Sequence, residues 1–200
     1  MNETLDGRLL EFKNVSLTYH TKAGETLAVK GLDFTVREGE FMAVIGPSGC
    51  GKTTVLSLAA GLLKPSSGEI TVCGKPARES AGKFGYMLQK DELFPWRNIE
   101  KNIVLPLEIS KKNTSENRKK ALSLAKKYGL GEFLSYYPDQ LSGGMRQRAA
   151  LIRTLAPDPK ILLLDEPFSA LDYQTRLSVC NDVYSIIRGE KKTALLVTHD

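Results

Sequence analysis

The chain has 200 residues, of which 42% are hydrophobic and 26% are charged, so it can bury one core with at most a modest inserted lobe. No stretch reaches the roughly 18 consecutive apolar residues that span a bilayer, and the acidic start MNETLDGRLLEF lacks the apolar centre of a secretory signal. We therefore expect a cytoplasmic chain. The net charge of +5 is compatible with an anionic ligand, an anionic membrane surface or nucleic acid, and it favours none of them.

The first part of the chain alternates strand patterns with turns. Leu9–Tyr19 and Thr26–Val36 are predicted as strands, the second interrupted near Gly31. Phe41–Ile45 is short and continuously apolar, which is typical of a strand buried on both faces. A glycine-rich loop and an apolar helix from Lys52 to about Leu63 should follow.

The second part begins with two further predicted strands, residues 69–73 and 84–88. From about residue 90 the chain becomes lysine-rich and its apolar spacing becomes helical, and Asn113 with Glu116 three residues later predicts a helix start. Ile161–Leu164 and Ala194–Val197 return to the composition of buried strands, separated by a helix. Strands that alternate with helices predict an α/β domain with a largely parallel core sheet.

A phosphate-binding loop is the first chemical motif. The segment Gly46-Pro47-Ser48-Gly49-Cys50-Gly51-Lys52-Thr53 matches GxxxxGK[ST], follows a predicted strand and opens a predicted helix, as the mechanism requires. Its glycines let backbone N–H groups surround the β-phosphate, and Thr54 continues the site into the helix. Lys52 should bridge the β- and γ-phosphates, while the Thr53 hydroxyl should bind Mg²⁺.

Two acids directly follow the aliphatic run Ile161–Leu164. A buried strand would deliver them to the ligand crevice at the carboxyl edge of the sheet. Asp165 is then the natural partner of Mg²⁺, and Glu166 is placed to polarise the attacking water. Together with the phosphate loop, this pair predicts an NTPase that hydrolyses its nucleotide.

A third segment narrows the choice among P-loop proteins. It reads Leu141-Ser142-Gly143-Gly144-Met145-Arg146-Gln147-Arg148 and resembles the LSGGQ signature of ATP-binding cassette (ABC) proteins. Ser142, Gly143 and Gly144 can form a second anion-binding nest at a helix start, and Ser142 can equally cap that helix without any nucleotide. Both can hold at once.

Other segments resemble the family in its order along the chain. Tyr19 is similar to the aromatic residue that stacks on adenine, Gln89 to the Q-loop glutamine, Ser169–Asp172 to the D-loop, and His199 to the switch histidine. The resemblance implies a P-loop NTPase (RecA-like) core, residues 1–89 and 156–200, with an N-terminal antiparallel β part and an inserted helical lobe, residues 90–155.

The same resemblance implies how the site works. Two ATP molecules with Mg²⁺ would lie between the protomers of a head-to-tail dimer. One protomer would act on each nucleotide through Lys52, Thr53, Gln89, Asp165, Glu166 and His199, with Gln89 also near the metal. The opposite protomer would complete the γ-phosphate shell with its signature segment.

The chain departs from the family pattern at two places, and the first of them sharpens the expectation. Met145 replaces the final glutamine of the signature, and together with residues 85–98 this resembles the importer branch for nitrate, sulfonates and taurine. Trp96 should either line the contact with a permease or fill the core of the helical lobe.

The chain stops at His199-Asp200, where family members normally continue. We expect a truncation, with turnover below that of an extended version.

The leading hypothesis is therefore the ATP-binding subunit of an ABC importer on the inner face of the cell membrane. Its partners would be integral membrane permease subunits, a second copy of the chain and, indirectly, an external solute-binding protein, with no nucleic acid. A soluble ABC ATPase of DNA repair or translation is the alternative. A P-loop kinase fits the phosphate loop but leaves the signature segment unexplained.

Overall fold

The computed structural model describes residues 7–22, 24–80, 82–169 and 172–199. Within these residues the strands are β1 (Arg8–Thr21), β2 (Gly24–Arg37), β3 (Phe41–Ile45), β4 (Ser67–Val72), β5 (Lys75–Pro76), β6 (Phe84–Met87), β7 (Ile161–Asp165) and β8 (Thr193–Thr198). The helices are α1 (Lys52–Ala59), α2 (Ile99–Ile109), α3 (Ser115–Lys127), α4 (Gly143–Leu155) and α5 (Tyr173–Gly189).

The strands form two sheets. One is parallel, with the order β3-β8-β7-β6, and the other is antiparallel, with the order β2-β1-β4-β5. The interruption predicted near Gly31 is a shift in register between β1 and β2, because Val15 pairs with Leu32 whereas Leu17 pairs with Val29. The predicted fold class, an α/β core with a parallel sheet and an N-terminal antiparallel part, is confirmed.

Strand β7 shows how the layers pack, since its side chains alternate between two cores. Ile161 and Leu163 point into the core that α1 shares with the antiparallel sheet. Leu162 and Leu164 point to the opposite side, into the core built by α2, α3, α4 and α5. The parallel sheet is therefore covered on both faces around β7 and β8.

Strand β3 has the predicted bounds, but the prediction that it is buried on both faces is wrong. Within the described residues it pairs only with β8 and lies at the edge of the sheet. Met42 and Val44 pack against the core around α1, while Ile45 on the other face is 70% exposed. An apolar run reports strand propensity, and the number of neighbouring layers depends on distant parts of the chain.

Helix α1 ends at Ala59, four residues before the predicted end. Gly61 adopts the left-handed backbone conformation (φ +71°), and the Leu62 N–H donates to the Ser57 carbonyl over 2.9 Å. This is the Schellman arrangement that ends many helices.

The start of α3 is displaced by one residue from the prediction. The N-cap is Thr114 and not Asn113, because the Thr114 hydroxyl accepts the Asn117 N–H over 3.2 Å. Threonine and asparagine are both good caps, so the sequence did not distinguish them.

The segment between β6 and β7 is helical, as predicted. Helix α4 packs on α2 and α3 and also on α5, so one apolar core runs from this segment to the parallel sheet. The domain boundaries near residues 90 and 155 stay a prediction. Across the residues described here, none of the helices has the length and apolar character needed to cross a membrane.

Candidate functional site

The loop of residues 46–51 connects β3 to α1, as the motif predicts. Gly51 is the N-cap of α1 with φ +97°, and a Cβ atom at this position would lie 2.5 Å from the Ala28 carbonyl oxygen. Only glycine therefore fits where the loop passes under β2. The loop delivers the N-terminus of α1, with its positive partial charge, to the carboxyl edge of the parallel sheet.

The loop curls around the Lys52 ammonium group. Its Nζ donates hydrogen bonds of 2.9 Å to the carbonyls of Gly46 and Pro47 and lies 3.3 Å from Oε1 of Glu166. Lys52 is only 6% exposed, so these oxygens replace most of its hydration. The phosphate loop and the acidic end of β7 thus share one positive charge.

Asp165 at the end of β7 faces Thr53 on α1. The Thr53 hydroxyl donates to Oδ1 of Asp165 over 3.1 Å, and the Tyr86 hydroxyl donates to Oδ2 over 3.4 Å. Burial raises the pKa of Asp165, an effect that these two hydrogen bonds oppose. Burial and the nearby Asp165 raise the pKa of Tyr86 to about 12, so this hydroxyl remains a donor at neutral pH.

Glu166 lies at the centre of the site. Its Oε2 is 2.9 Å from Nδ1 of His199, its other oxygen faces Lys52, and its N–H donates to the Val197 carbonyl over 3.0 Å. Its φ of +42° is uncommon for a residue other than glycine, and such conformations concentrate at functional sites.

Gln89 and Ser169 meet beside Glu166. The Gln89 side-chain amide donates to the Ser169 hydroxyl over 3.0 Å, and that hydroxyl donates to the Glu166 carbonyl over 3.1 Å. Of the segment that resembles the D-loop, residues 170 and 171 lie outside the described residues. Asp172 caps α5 by accepting the Thr175 N–H over 3.1 Å.

A cavity of about 590 Å³ brings most of the predicted residues together. Its lining includes Tyr19, Ser48, Gly49, Cys50, Gly51, Lys52, Thr53, Thr54, Gln89, Asp165 and Glu166. Gly46 and Pro47 join through their hydrogen bonds to Lys52, and His199 joins through Glu166.

One end of this cavity is formed by β1 and β2. The Tyr19 hydroxyl lies 3.2 Å from Oγ1 of Thr54, and Tyr19 is 38% exposed, so its ring is open to a flat ligand. Sequence reasoning missed residues 26–28, which line the cavity beside Tyr19 on the neighbouring strand, and it missed Tyr86. No local signal marks these residues, because they reach the site through strand pairing.

The signature residues line a second cavity of about 420 Å³ that they share with α5. The Ser142 hydroxyl accepts the Met145 N–H over 3.3 Å, so it caps α4. A Cβ atom on Gly144 would come within 2.9 Å of the Val179 side chain, so α4 and α5 approach closely there. Ser142, Gly143 and Gly144 are thus not brought to the phosphate loop of their own chain.

Comparison with known proteins identifies the family. Residues 29–169 match the family model described as ABC transporter. The chain is 50% identical over 191 residues to the uncharacterized ABC transporter ATP-binding protein YtlC of Bacillus subtilis, covering 96% of this chain and 74% of that protein. It is 44% identical to the formylaminopyrimidine import ATP-binding protein ThiZ of Halalkalibacterium halodurans (96% and 74% covered) and 40% identical to the taurine import ATP-binding protein TauB of Yersinia pestis (86% and 68% covered).

A solved structure agrees with these relatives. The ATP-binding cassette MJ0796, a dimer in a post-hydrolysis state bound to ADP and phosphate, superposes with a TM-score of 0.79 at 33% identity, covering 96% of this chain and 88% of that one. The fold, the phosphate loop and the signature segment are thus those of one family. The chain belongs to the ABC transporter family as an ATP-binding subunit, an ATPase whose hydrolysis of ATP powers transport and which works with membrane permease subunits.

Proposed function

We propose that this chain hydrolyses ATP in the cavity beside the phosphate loop to drive the import of a small solute, from the inner face of the cell membrane. The observation that carries the proposal is the meeting of Lys52, Asp165 and Glu166 next to the N-terminus of α1. Cation, metal-binding carboxylate and base are the groups that phosphoryl transfer to water requires.

ATP would lie along the cavity with its adenine on Tyr19 and its phosphates over residues 46–54. The partly exposed ring of Tyr19 at one end, and the buried charge of Lys52 at the other, match the two ends of the nucleotide. On binding, the phosphate oxygens would take over the Lys52 hydrogen bonds now made to the Gly46 and Pro47 carbonyls.

Thr53, Asp165 and Gln89 would hold Mg²⁺. Thr53 and Asp165 offer oxygen atoms 3.1 Å apart, and Gln89 lines the same cavity with an amide oxygen. Oxygen donors are the ligands that this hard cation prefers, so the residues present fit it. Bound there, the metal supplies positive charge that neutralises the phosphate oxygens as the transition state forms.

Glu166 would orient the water that attacks the γ-phosphorus in line with the departing ADP. His199, 2.9 Å from Glu166, would hold that carboxylate and contact the γ-phosphate. Gln89, which is joined to Glu166 through Ser169, would act on the same nucleotide. Catalysis is then mostly positioning and charge stabilisation.

A second copy of the chain would complete the site. Ser142, Gly143 and Gly144 line a cavity apart from the phosphate loop, which supports their action on the nucleotide of an opposite protomer in a head-to-tail dimer. The dimeric form of MJ0796 is consistent with this arrangement. The closed dimer would bind ATP better than ADP, and this difference would drive the transport cycle.

The surface around Trp96 would receive the permease. Trp96 is 71% exposed, which excludes the alternative that it fills the core of the helical segment. It stacks on Phe94 with ring centroids 4.9 Å apart, and Phe94 is itself 37% exposed. A flat exposed aromatic pair of this kind suits a protein contact.

The imported solute would be a small anion such as nitrate, a sulfonate or taurine. TauB is named for taurine import, which supports this class, and ThiZ is named for formylaminopyrimidine import, which supports import of a small organic molecule in general. The external binding protein and the permease, rather than this chain, would select the solute.

The experiment that tests the proposal is a pull-down of the tagged chain from membranes of its source cell. Recovery of an integral membrane permease, followed by solute-stimulated ATP hydrolysis of the complex in vesicles, is the expected result. Recovery of ribosomes or of a soluble repair complex, without a permease, would overturn the transport role and favour a soluble ABC ATPase.

A further inference from the structure

The segment that carries the exposed aromatic pair is held by helix α4, which begins at the signature residues. We call residues 91–97 the docking segment. Phe94 and Trp96 form its exposed surface, while Leu93 is only 7% exposed and packs into the core of the helices. Such a segment needs fixed partners for its backbone, because it has no regular secondary structure of its own.

Arg153 supplies the main attachment. Its guanidinium donates to the backbone carbonyl of Asp91 over 2.6 Å and to that of Glu92 over 2.7 Å. Glu92 has φ +46°, a conformation that costs free energy in a residue with a side chain and persists only when its surroundings hold it. The planar fork of arginine reaches two consecutive carbonyls at once, which a lysine cannot do in the same geometry.

A second arginine of the same helix reinforces this attachment. Arg146 donates from Nε to the Asp91 carboxylate over 3.1 Å and from Nη1 to the Leu141 carbonyl over 2.8 Å. The other oxygen of Asp91 accepts the Leu93 N–H over 3.1 Å. Asp91 therefore links α4 to the first turn of the docking segment.

Helix α2 also binds the docking segment, through hydrogen bonds of Asn102. Asn102 is fully buried, its oxygen accepts the Phe94 N–H over 2.7 Å, and its amide donates to the carbonyls of Phe94, Arg97 and Asn98. With its polar side chain fully engaged, Asn102 fixes the segment on α2. The arginines then fix it on α4.

We propose that Arg153, supported by Arg146 and Asp91, is a positioning residue that makes the docking segment move together with α4. Nucleotide binding would thereby move the Phe94–Trp96 surface. The inference rests on the proposed function. Ser142 is the N-cap of α4, Arg146 lies in its first turn, and Arg153 lies near its end. A shift of the signature end would therefore be passed to the segment by one helix. Gln89, two residues before Asp91, links the segment to the chain's own site.

The sequence supplies a reporter for this motion, since Trp96 is its only tryptophan. The experiment titrates the purified full chain with Mg²⁺ and the non-hydrolysable ATP analogue adenylyl imidodiphosphate, and follows the emission and acrylamide quenching of Trp96. Binding of the radiolabelled analogue is measured separately by equilibrium dialysis. We compare wild type, Arg153→Ala, Arg153→Lys and Asp91→Asn.

The matched control is Arg118→Ala. Arg118 forms a 2.6 Å ion pair with Glu100 that joins α3 to α2. Its removal takes away an arginine and an ion pair from the same group of helices, and should leave the Trp96 response as in wild type.

The expected result is a nucleotide-dependent change of Trp96 emission in wild type and Arg118→Ala that falls more than about twofold in Arg153→Ala, Arg153→Lys and Asp91→Asn, with analogue affinity unchanged. Equal emission changes in all variants would overturn the proposal. So would a wild type that binds the analogue without any change in Trp96 emission. Should Arg153→Ala not fold, Arg153→Lys, which keeps the charge but lacks the planar fork, decides alone. Absence of analogue binding to wild type would instead overturn the proposed function.

Discussion

Nδ1 of His199 lies 2.9 Å from Oε2 of Glu166, while the other oxygen of the same carboxylate lies 3.3 Å from the Lys52 ammonium group. One carboxylate is thus held from both sides by groups from the end of β8 and the start of α1. This arrangement holds Glu166 in one orientation without nucleotide, and it brings together three distant parts of the sequence.

Loss of the histidine should slow turnover and leave binding intact. We expect His199→Ala to lower the rate of phosphate release by about 100-fold, because Glu166 loses a fixed partner and the γ-phosphate loses a contact. The affinity for ATP, measured by equilibrium dialysis, should stay close to that of wild type. The matched control is His20→Ala, since His20, the other histidine of the chain, lies on the exposed hairpin of β1 and β2 beside Glu25. Equal loss of turnover in both variants would contradict the role of His199.

Tyr86 should matter for the metal. Its hydroxyl donates to Oδ2 of Asp165, so Tyr86→Phe leaves this carboxylate less well oriented. We expect the Mg²⁺ concentration for half-maximal turnover to rise by about threefold, the effect of one modest hydrogen bond, with a smaller change in kcat. Tyr136→Phe, which removes the hydroxyl of an exposed tyrosine, serves as control. An unchanged Mg²⁺ dependence would show that the contact does not position Asp165.

The pH dependence of stability should reveal the burial of Asp165. Because burial raises its pKa above the ordinary value of 3.8, its ionisation is less favourable in the folded chain than in the unfolded chain. This penalty is absent below the unfolded pKa and complete above the folded pKa. We therefore expect Asp165→Asn to have a higher Tm than wild type at neutral pH without nucleotide or metal, with the difference shrinking on acidification. A lower Tm at neutral pH would contradict this account.

Cys50 should report occupation of the phosphate loop. Its side chain is exposed and lines the nucleotide cavity, whereas Cys73 and Cys180 are less exposed and lie elsewhere. We expect Mg-ATP to slow the labelling of Cys50 by a maleimide, measured by mass spectrometry of the labelled peptides. In Cys50→Ser, labelling of the other two cysteines should not respond to nucleotide. Equal labelling of Cys50 with and without Mg-ATP would contradict the assignment of the loop.

The local parts of the site could be predicted from the sequence. The phosphate loop lies between β3 and α1, and Asp165 and Glu166 lie at the end of β7, because a short motif fixes its own backbone and because parallel strands end at the same edge of a sheet. The bounds of β3 were predicted from its short, continuously apolar run. Ser142 caps α4, one of the two roles that the sequence left open.

The parts that depend on distant pairing could not be predicted. Tyr86 reaches Asp165 because β6 pairs with β7, and the two residues are 79 positions apart in the chain. The exposed face of β3 likewise follows from its place at the edge of the sheet, which five apolar residues do not reveal. The same holds for Arg153, whose contact with Asp91 spans 62 positions and has no motif.

The most direct test of the central claim is phosphate release from Mg-ATP without any acceptor, compared between wild type and Glu166→Gln. The account predicts that wild type releases phosphate. It also predicts that Glu166→Gln binds ATP with the affinity of wild type, is dimeric when ATP is bound, and releases phosphate at least about 100-fold more slowly. Full turnover in Glu166→Gln would assign the base to another residue. No phosphate release from wild type, despite ATP binding, would contradict the assignment of this cavity as the hydrolytic site.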